Sequence, residues 1–235
     1  LHRGVDACVA PSAAAVAEAV AFGIPAERVH LVPNGVDVDA FSPVDSAEKA
    51  ALRARLGLGA GPVVLYLGRL SAEKDPVNLL DAWSAVAGAH PDAELVYVGE
   101  GPDEARLRAR VEELRAPRVR LAGGSAEPAA WYRAADLFAL PSRHEGLSNS
   151  LLEAAACGLP VVSTRVSGAV DLFARADLGE LVPPRDPAAL AGALERMLAD
   201  PGRRAACGAA ARNLIVRELA VDRVAAAVER VYLGA

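Results

Sequence analysis

Short apolar runs alternate along the chain with longer stretches in which apolar residues recur at helical spacing. The runs do not alternate with polar positions, which is typical of parallel strands buried on both faces. They predict strands over residues 6–10, 29–32, 62–67, 94–98, 119–122, 137–140, 160–163 and 180–182. The stretches between them predict helices over residues 13–22, 46–56, 77–87, 104–114, 149–157 and 188–198, with another starting near residue 168.

This alternation of strands and helices predicts an α/β fold. The expected architecture is a Rossmann-like parallel sheet with helices on both faces. From residue 188 onward the chain is rich in helical sequence, which Pro187 and Pro201 punctuate. We therefore expect a helix-rich C-terminus.

One segment, residues 33–43, is rich in turn-forming residues and predicts a boundary between residues 1–43 and 44–235. Within it, Asn34-Gly35 favours positive backbone φ angles and so predicts a tight turn. The chain starts at Leu1, without a methionine and close to a strand pattern. We therefore expect it to be an excerpt from a longer protein.

Composition narrows the classes of function. The 235 residues are 53% hydrophobic and 23% charged, a globular balance that excludes a disordered chain. A net charge of −5 argues against general nucleic-acid binding, which needs a basic face. Three scattered cysteines without metal-ligand spacing favour a reducing, cytoplasmic setting and predict no metal site. No apolar run reaches the ~20 residues of a membrane-spanning helix.

Two cations follow the third predicted strand. Arg69 comes directly after Gly68, and Lys74 lies five residues further on, before a helix. The carboxyl ends of parallel strands are where open α/β sheets bind ligands. An arginine can fork two oxygens and a lysine adds a mobile point charge, which suits a diphosphate. The alternative is a pair of solvated surface charges.

The segment Val98-Gly99-Glu100-Gly101-Pro102 resembles the start of a dinucleotide-binding fingerprint. Glu104 stands where the third glycine of that fingerprint would be, and Pro102 follows Gly101 directly. Binding of NAD is therefore poorly supported. A tight connection between a strand and a helix is the alternative.

A loop and a helix start follow the sixth predicted strand. Ser148, Asn149 and Ser150 are good N-cap types, and a helix N-terminus readily binds phosphate. Glu145 lies in the loop and Glu153 about one turn into the helix. Carboxylates accept hydroxyl hydrogen bonds and so suit a ribose or sugar diol. The alternative is that both are solvated acidic residues.

Asp171 lies near the start of a helix that follows a small-residue loop around Gly168. Its carboxylate could bind a hydroxyl group of a ligand. It could equally interact with the dipole of its own helix as an acidic residue of the first turn. The sequence leaves both interpretations open.

Glu145 and Glu153 form the E-x7-E spacing of retaining glycosyltransferases with the GT-B architecture. The chain most closely resembles glycosyltransferase family 4, because further segments match that family in order and spacing. These segments are 33–37 with Phe41 and Pro43, 68–70 with Lys74, 98–102, 135–142, 145–147, 153–154 and 158–162. Together they cover nearly the whole chain.

The resemblance implies two Rossmann-like domains that face each other across a cleft. Residues 44–235 would be the donor-binding C-terminal domain, and residues 1–43 the end of the N-terminal acceptor domain and the connection. The rest of the acceptor domain is expected to lie outside this sequence, so we expect this chain alone to be inactive. Any membrane contact of the full enzyme would depend on that other half.

The family transfers a sugar from a nucleotide diphosphate sugar, with retention of configuration and without a metal or other cofactor. The resemblance implies three catalytic residues: Arg69 and Lys74 stabilise the leaving diphosphate, and Glu145 contacts the donor sugar. Glu153 would bind the nucleotide ribose. The other substrate-binding residues implied are Gly68, Gly146, Leu147, Ser148 and Asn149, with Gly123, Gly124 and Ser125 near the base.

Two positions depart from the family pattern. Asp171 stands where glutamate is usual, and Asp75 follows Lys74 where glycine is commoner. His144, next to Glu145, resembles a catalytic base, but we interpret it as a loop residue.

Two other functions compete with sugar transfer. A non-catalytic module could bind the nucleotide sugar and transfer nothing, and a nucleotide-sugar 2-epimerase shares the two-domain architecture. An epimerase needs acid and base groups across the cleft, and the Arg69, Lys74 and E-x7-E set argues against it. The sequence leaves open the base, the sugar, the acceptor and the oligomeric state.

Overall fold

The computed structural model describes residues 5–234, and within them the chain forms eight strands and ten α-helices. The strands are β1 (Cys8–Ala10), β2 (Val29–Leu31), β3 (Val63–Leu67), β4 (Glu94–Val98), β5 (Val119–Leu121), β6 (Leu137–Leu140), β7 (Val161–Thr164) and β8 (Gly179–Val182). The helices are α1 (Ala13–Ala21), α2 (Ser46–Leu56), α3 (Pro76–Val86), α4 (Glu104–Leu114), α5 (Pro128–Ala134), α6 (Asn149–Ala156), α7 (Ser167–Phe173), α8 (Pro187–Ala199), α9 (Pro201–Glu218) and α10 (Val221–Leu233).

Six strands form one parallel sheet in the order β5-β4-β3-β6-β7-β8. The chain runs outward from β3 to β5 and then returns to place β6 on the other side of β3. In open α/β sheets a ligand-binding crevice lies at such a reversal, which here is outside the carboxyl ends of β3 and β6. The first two strands form a separate parallel pair. The predicted parallel α/β fold and the helix-rich C-terminus are confirmed.

Alternate strand residues face two hydrophobic cores, one on each side of the sheet. Leu65 and Phe138 belong to the core beneath α5, α6, α7 and α9. Tyr66 and Leu137 belong to the core beneath α3, α4 and α8. Both faces of the strands are therefore buried, which explains why the sequence shows continuous apolar runs.

Most predicted elements are present, with ends that shift by one or two residues. Helix α5 (Pro128–Ala134) was not predicted. It has only seven residues, too few to show a helical period, and its core-facing Trp131 and Tyr132 are buried by the rest of the fold. Tertiary burial therefore stabilises this helix more than its local sequence does.

The predicted tight turn at Asn34-Gly35 is wrong, because neither residue has a positive φ angle. The segment instead runs beside the start of α10, where Val36 N–H donates to Leu219 O at 3.0 Å. A Cβ atom on Gly35 would lie 2.8 Å from Val221 Cα, so glycine is required for this close approach. The chain turns later, where the Asp37 carboxylate accepts hydrogen bonds from the backbone N–H groups of Asp39 and Ala40.

Asp136 joins α2 to the first residues of β3 and β6. Its carboxylate accepts hydrogen bonds from Lys49 Nζ at 2.7 Å and from Val63 N–H at 2.7 Å, and it pairs with Arg53 Nη2. Burial raises the pKa of this carboxyl, but Lys49, the Val63 N–H group and Arg53 together bring it below its usual value. Asp136 is therefore charged at neutral pH.

Candidate functional site

Two loops face each other across the crevice. The loop after β3 contains Gly68, Arg69 and Lys74, and the loop after β6 contains Ser142 and Glu145. Lys74 Nζ pairs with Glu145 Oε1, and Ser142 Oγ donates to the same oxygen at 2.8 Å. The fold therefore brings together Lys74 and Glu145, which lie 71 residues apart in the sequence.

Glu145 is held from one side. Its side chain is only 8% exposed, and both of its hydrogen bonds use Oε1. Within residues 5–234, no side chain or backbone group donates to Oε2. That oxygen is available to accept a hydroxyl hydrogen bond from a ligand.

Arg69 differs from Lys74 in that its guanidinium group forms no ion pair with the residues described here. The residue is exposed at the rim of the crevice. Its carbonyl oxygen accepts a hydrogen bond from the Tyr66 hydroxyl at 2.7 Å. Burial, followed by the nearby carboxylates of Glu145, Asp103 and Asp75, raises the pKa of Tyr66, which keeps this hydroxyl a donor. The backbone at Arg69 is thereby held while its cationic group stays free.

Glu153 lies in α6 and accepts a hydrogen bond at Oε2 from the Tyr132 hydroxyl at 2.9 Å. Burial raises the pKa of Glu153, and the Tyr132 hydrogen bond lowers it. Tyr132 is itself fully buried, so it holds one carboxylate oxygen in a fixed direction. The two glutamates of the E-x7-E spacing are therefore positioned by different partners.

Residues 146–149 form the entrance to α6. Ser148 occupies the N-cap position, but its Oγ bonds to Ser150 Oγ at 2.9 Å and does not cap the helix. Asn34 donates to Leu147 O at 3.2 Å and to Asn149 Oδ1 at 2.9 Å. The first N–H groups of α6 are consequently not satisfied by a cap side chain, which is the arrangement that favours an anion.

Residues 123–125 follow β5 and lie two strands away from the crevice. Gly123 has a φ of +75°, and its carbonyl accepts from Gly99 N–H at 2.8 Å. Gly124 N–H donates to Glu100 Oε1 at 3.2 Å. Ser125 Oγ accepts hydrogen bonds from Trp131 Nε1 and from the Glu127 backbone, both at 3.1 Å. These residues are separated from Glu145 by the carboxyl ends of β4 and β3.

The two glycines of the partial fingerprint serve packing between loops. A Cβ atom on Gly99 would lie 1.9 Å from Gly68 O, and one on Gly101 would lie 2.2 Å from Leu70 O. The loop after β4 therefore presses against the loop that carries Arg69. This contact explains the glycines without a bound dinucleotide.

Asp171 is the fifth residue of α7, so its interpretation as a first-turn acid of that helix is wrong. Its carboxylate instead accepts a hydrogen bond at 3.1 Å from the backbone N–H of Ala13, at the start of α1. It thus complements the dipole of a different helix.

A polar cavity of about 490 Å³ lies between α1 and the loops after β6 and β7. The exposed His144 and Arg165 line it, together with Glu145 and Gly146. Ser12, the N-cap residue of α1, and Glu18 of the same helix line the opposite wall. The proposed loop residue His144 thus borders open space beside Glu145.

Gly168 holds the loop after β6 in place and provides a direct test of its packing. Its N–H donates to Gly146 O at 2.7 Å, and a Cβ atom would lie 2.2 Å from that oxygen. We expect Gly168→Ala to lower the free energy of unfolding by about 1–3 kcal/mol in urea unfolding, because backbone atoms cannot rotate away. Gly146→Ala is the matched control, since its Cβ would meet nothing within 4 Å. Equal effects of the two substitutions would contradict this packing.

The profiles of two known protein families match the chain. The profile of the family described as "Glycosyl transferases group 1" matches residues 48–214, and that of "Glycosyltransferase Family 4" matches residues 1–40. The chain belongs to the group 1 glycosyltransferases. The resemblance to family 4 and to its GT-B C-terminal domain is thereby confirmed.

Two relatives of this group 1 glycosyltransferase are themselves named as sugar transferases. It is 37% identical to the D-inositol 3-phosphate glycosyltransferase of Xylanimonas cellulosilytica, over 91% of this chain and 53% of that protein. It is 39% identical to the GDP-mannose-dependent alpha-(1-6)-phosphatidylinositol monomannoside mannosyltransferase of Mycolicibacterium smegmatis, over 83% and 53%. The chain spans about half the length of these relatives.

The solved structure of Anabaena HepE in complex with UDP-glucose shares the fold. The two superpose with a TM-score of 0.90 at 24% identity, over all of this chain and 65% of that one. No helix among residues 5–234 of this group 1 glycosyltransferase is long and apolar enough to cross a membrane.

The sequence did not identify four residues that hold the site residues in place. Tyr132 binds Glu153, and Ser142 binds Glu145. Arg143 binds Asp75, and Asn34 binds Asn149 at the start of α6. Ser142 was within reach of sequence reasoning, because it follows a strand and precedes Glu145 by three residues. The other contacts join residues that are 21 to 115 positions apart, and the periodic pattern of the sequence does not predict contacts at such separations.

Proposed function

We propose that this chain is the donor-binding part of a retaining glycosyltransferase that uses a nucleotide diphosphate sugar. The observation that carries the proposal is the group formed by Arg69, Lys74 and Glu145 at the reversal of strand order. Lys74 pairs there with the one-sided carboxylate of Glu145, and Arg69, in the same loop as Lys74, forms no ion pair within residues 5–234. The N-terminus of α6, which lacks a side-chain cap, follows Glu145 along the chain. Relatives named as GDP-mannose-dependent and a neighbour solved with UDP-glucose support this donor class.

In this proposal the diphosphate lies between Arg69, Lys74 and the N–H groups at Gly146, Leu147, Ser148 and Asn149. Negative charge grows on the departing nucleotide, and fixed positive groups in the crevice stabilise it electrostatically. Gly68 has no side chain to block the approach of the phosphates. No step requires a metal, and the absence of a cofactor stays a prediction.

The carboxylates bind hydroxyl groups rather than attack carbon. Glu145 Oε2 accepts from the donor sugar, and Glu153 Oε1 accepts from the ribose while Tyr132 holds its other oxygen. Gly123, Gly124 and Ser125 would contact the base through backbone groups. His144 is not assigned a role in the reaction.

The division of the chain at residues 1–43 and 44–235 stays a proposal. The separate β1-β2 pair and the two family profiles, which match on either side of it, support this boundary. The acceptor, any membrane contact and the cytoplasmic setting would be properties of the whole enzyme, and they stay predictions. So does the inactivity of this chain alone.

A thermal-shift titration of the chain with UDP, GDP and ADP tests the proposal. A ligand at ~100 times its Kd stabilises the chain by about 2.7 kcal/mol, which at this size raises Tm by roughly 5–10 °C. We expect a shift with one nucleotide, and no shift in the Glu153→Ala variant. The absence of a shift with all three nucleotides would contradict donor binding.

Product analysis with labelled nucleotide sugar separates the alternatives. Free nucleotide diphosphate together with a glycosylated acceptor indicates transfer, an altered sugar indicates an epimerase, and unchanged donor indicates a binding module.

A further inference from the structure

We propose that Asp75 and Arg143 form a positioning pair that sets Glu145 for the donor sugar. The inference rests on the proposed function, because it assigns Glu145 a role toward the glycosyl group. The pair lies outside the residues that the sequence assigned to the site, and its members come from the two loops that face the crevice.

The backbone of Asp75 is the first indication. Its φ and ψ angles are 49° and 51°, the left-handed region that glycine occupies freely and most other residues avoid. A glycine would fit this position without strain. The aspartate side chain must therefore contribute something that offsets its conformational cost.

The contribution is a forked ion pair. Asp75 is 5% exposed, and its two carboxylate oxygens accept from Arg143 Nε at 2.8 Å and Nη2 at 2.9 Å. Two parallel hydrogen bonds between a guanidinium and a carboxylate fix direction as well as distance. The positive charge of Arg143 is used in this pair, so Arg143 is not a free cation for the diphosphate.

The pair belongs to a set of three cross-links in adjacent residues. Arg143 N–H donates to Glu73 O at 2.7 Å, Arg143 binds Asp75, and Lys74 binds Glu145. Residues 73–75 and 143–145 therefore run side by side as a tied unit. Arg143 is two residues from Glu145, so the forked pair limits how far the Glu145 backbone can move relative to Lys74.

This geometry predicts a selective defect. Without the pair, Glu145 loses its alignment toward the sugar, while the cations and the α6 N-terminus that bind the diphosphate stay in place. Affinity for the nucleotide sugar should fall more than affinity for the nucleotide diphosphate. A general loosening of the fold would weaken both ligands alike.

The experiment measures Kd for UDP and UDP-glucose, and for GDP and GDP-mannose, by isothermal titration calorimetry. The variants are Asp75→Asn, Asp75→Gly and Arg143→Lys, where Asp75→Gly removes the pair and the backbone strain together. We expect the ratio Kd(diphosphate)/Kd(sugar) to fall at least five-fold in each, with Kd for the diphosphate changed less than three-fold. Arg143→Lys keeps the charge but cannot form the fork.

Arg196→Gln is the matched control, because it removes another forked pair, with Glu180, on β8 and α8. It should leave both dissociation constants unchanged. One outcome overturns this inference alone: the unmodified chain binds the ligands, and the Asp75 and Arg143 variants keep its ratio of Kd(diphosphate) to Kd(sugar). The proposed function then stands. If the unmodified chain binds no nucleotide or nucleotide sugar, both are overturned.

Discussion

Replacement of Asp136 by alanine is expected to lower the free energy of unfolding by about 3–5 kcal/mol. The substitution leaves Lys49, Arg53 and the Val63 N–H group without their common acceptor. Arg53 is only 15% exposed, so water cannot fully replace the lost carboxylate. Helix α2 would lose its charged link to the starts of β3 and β6 and keep the hydrogen bonds that Lys49 and Arg53 donate to the carbonyl oxygens of Ala135 and Ala134.

Urea unfolding measures this loss, with Glu104→Ala as the control. Glu104 pairs with Arg108 one turn along the exposed face of α4, and such pairs contribute under about 1 kcal/mol. Because the folded pKa of Asp136 is lowered, its contribution is present above the unfolded value of about 3.9 and is lost as pH falls through the folded pKa. The difference between wild type and Asp136→Ala should therefore shrink below about pH 4. An effect no larger than that of Glu104→Ala would contradict the anchoring role.

Arg69→Gln is expected to weaken binding of the preferred nucleotide diphosphate about 10–100-fold, since hydrogen bonds to charged groups contribute roughly 1.5–3 kcal/mol. Its guanidinium has no ion-pair partner among the described residues, so the substitution should leave the free energy of unfolding nearly unchanged. Lys74→Gln should weaken binding and also destabilise the fold. The buried Glu145 would lose its cation, because Lys74 already serves as its partner.

Calorimetric titration at two salt concentrations, together with urea unfolding of the same variants, measures both effects. Arg108→Gln serves as the control, because it removes another exposed arginine, on α4, and should bind nucleotide as wild type does. Unchanged nucleotide affinity in the Arg69→Gln variant would show that the diphosphate does not bind at Arg69. Unchanged stability in Lys74→Gln would show that the Lys74–Glu145 pair does not hold the loop.

The extent to which the sequence predicts the fold differs between elements. Strands β4 and β6 and helices α2 and α4 have the bounds that the apolar pattern predicts. Helix α5 was missed, since its formation depends on burial of Trp131 and Tyr132 beneath the sheet. The Asn34-Gly35 turn was mispredicted because the local preference of this dipeptide is outweighed by the packing of α10 against it.

By itself, the sequence determined the parallel α/β fold and the family. It also placed Arg69, Lys74 and Glu145 in loops that follow strands, and Glu153 in the helix after Glu145. The fold and these positions follow from the local pattern of apolar residues. The family follows from the resemblance of several motifs in order along the chain. Only the tertiary structure decided that Lys74 binds Glu145, that Tyr132 orients Glu153 and that Asp171 serves α1. Such pairings depend on the order in which strands join the sheet, and that order brings distant residues into contact without leaving a local pattern.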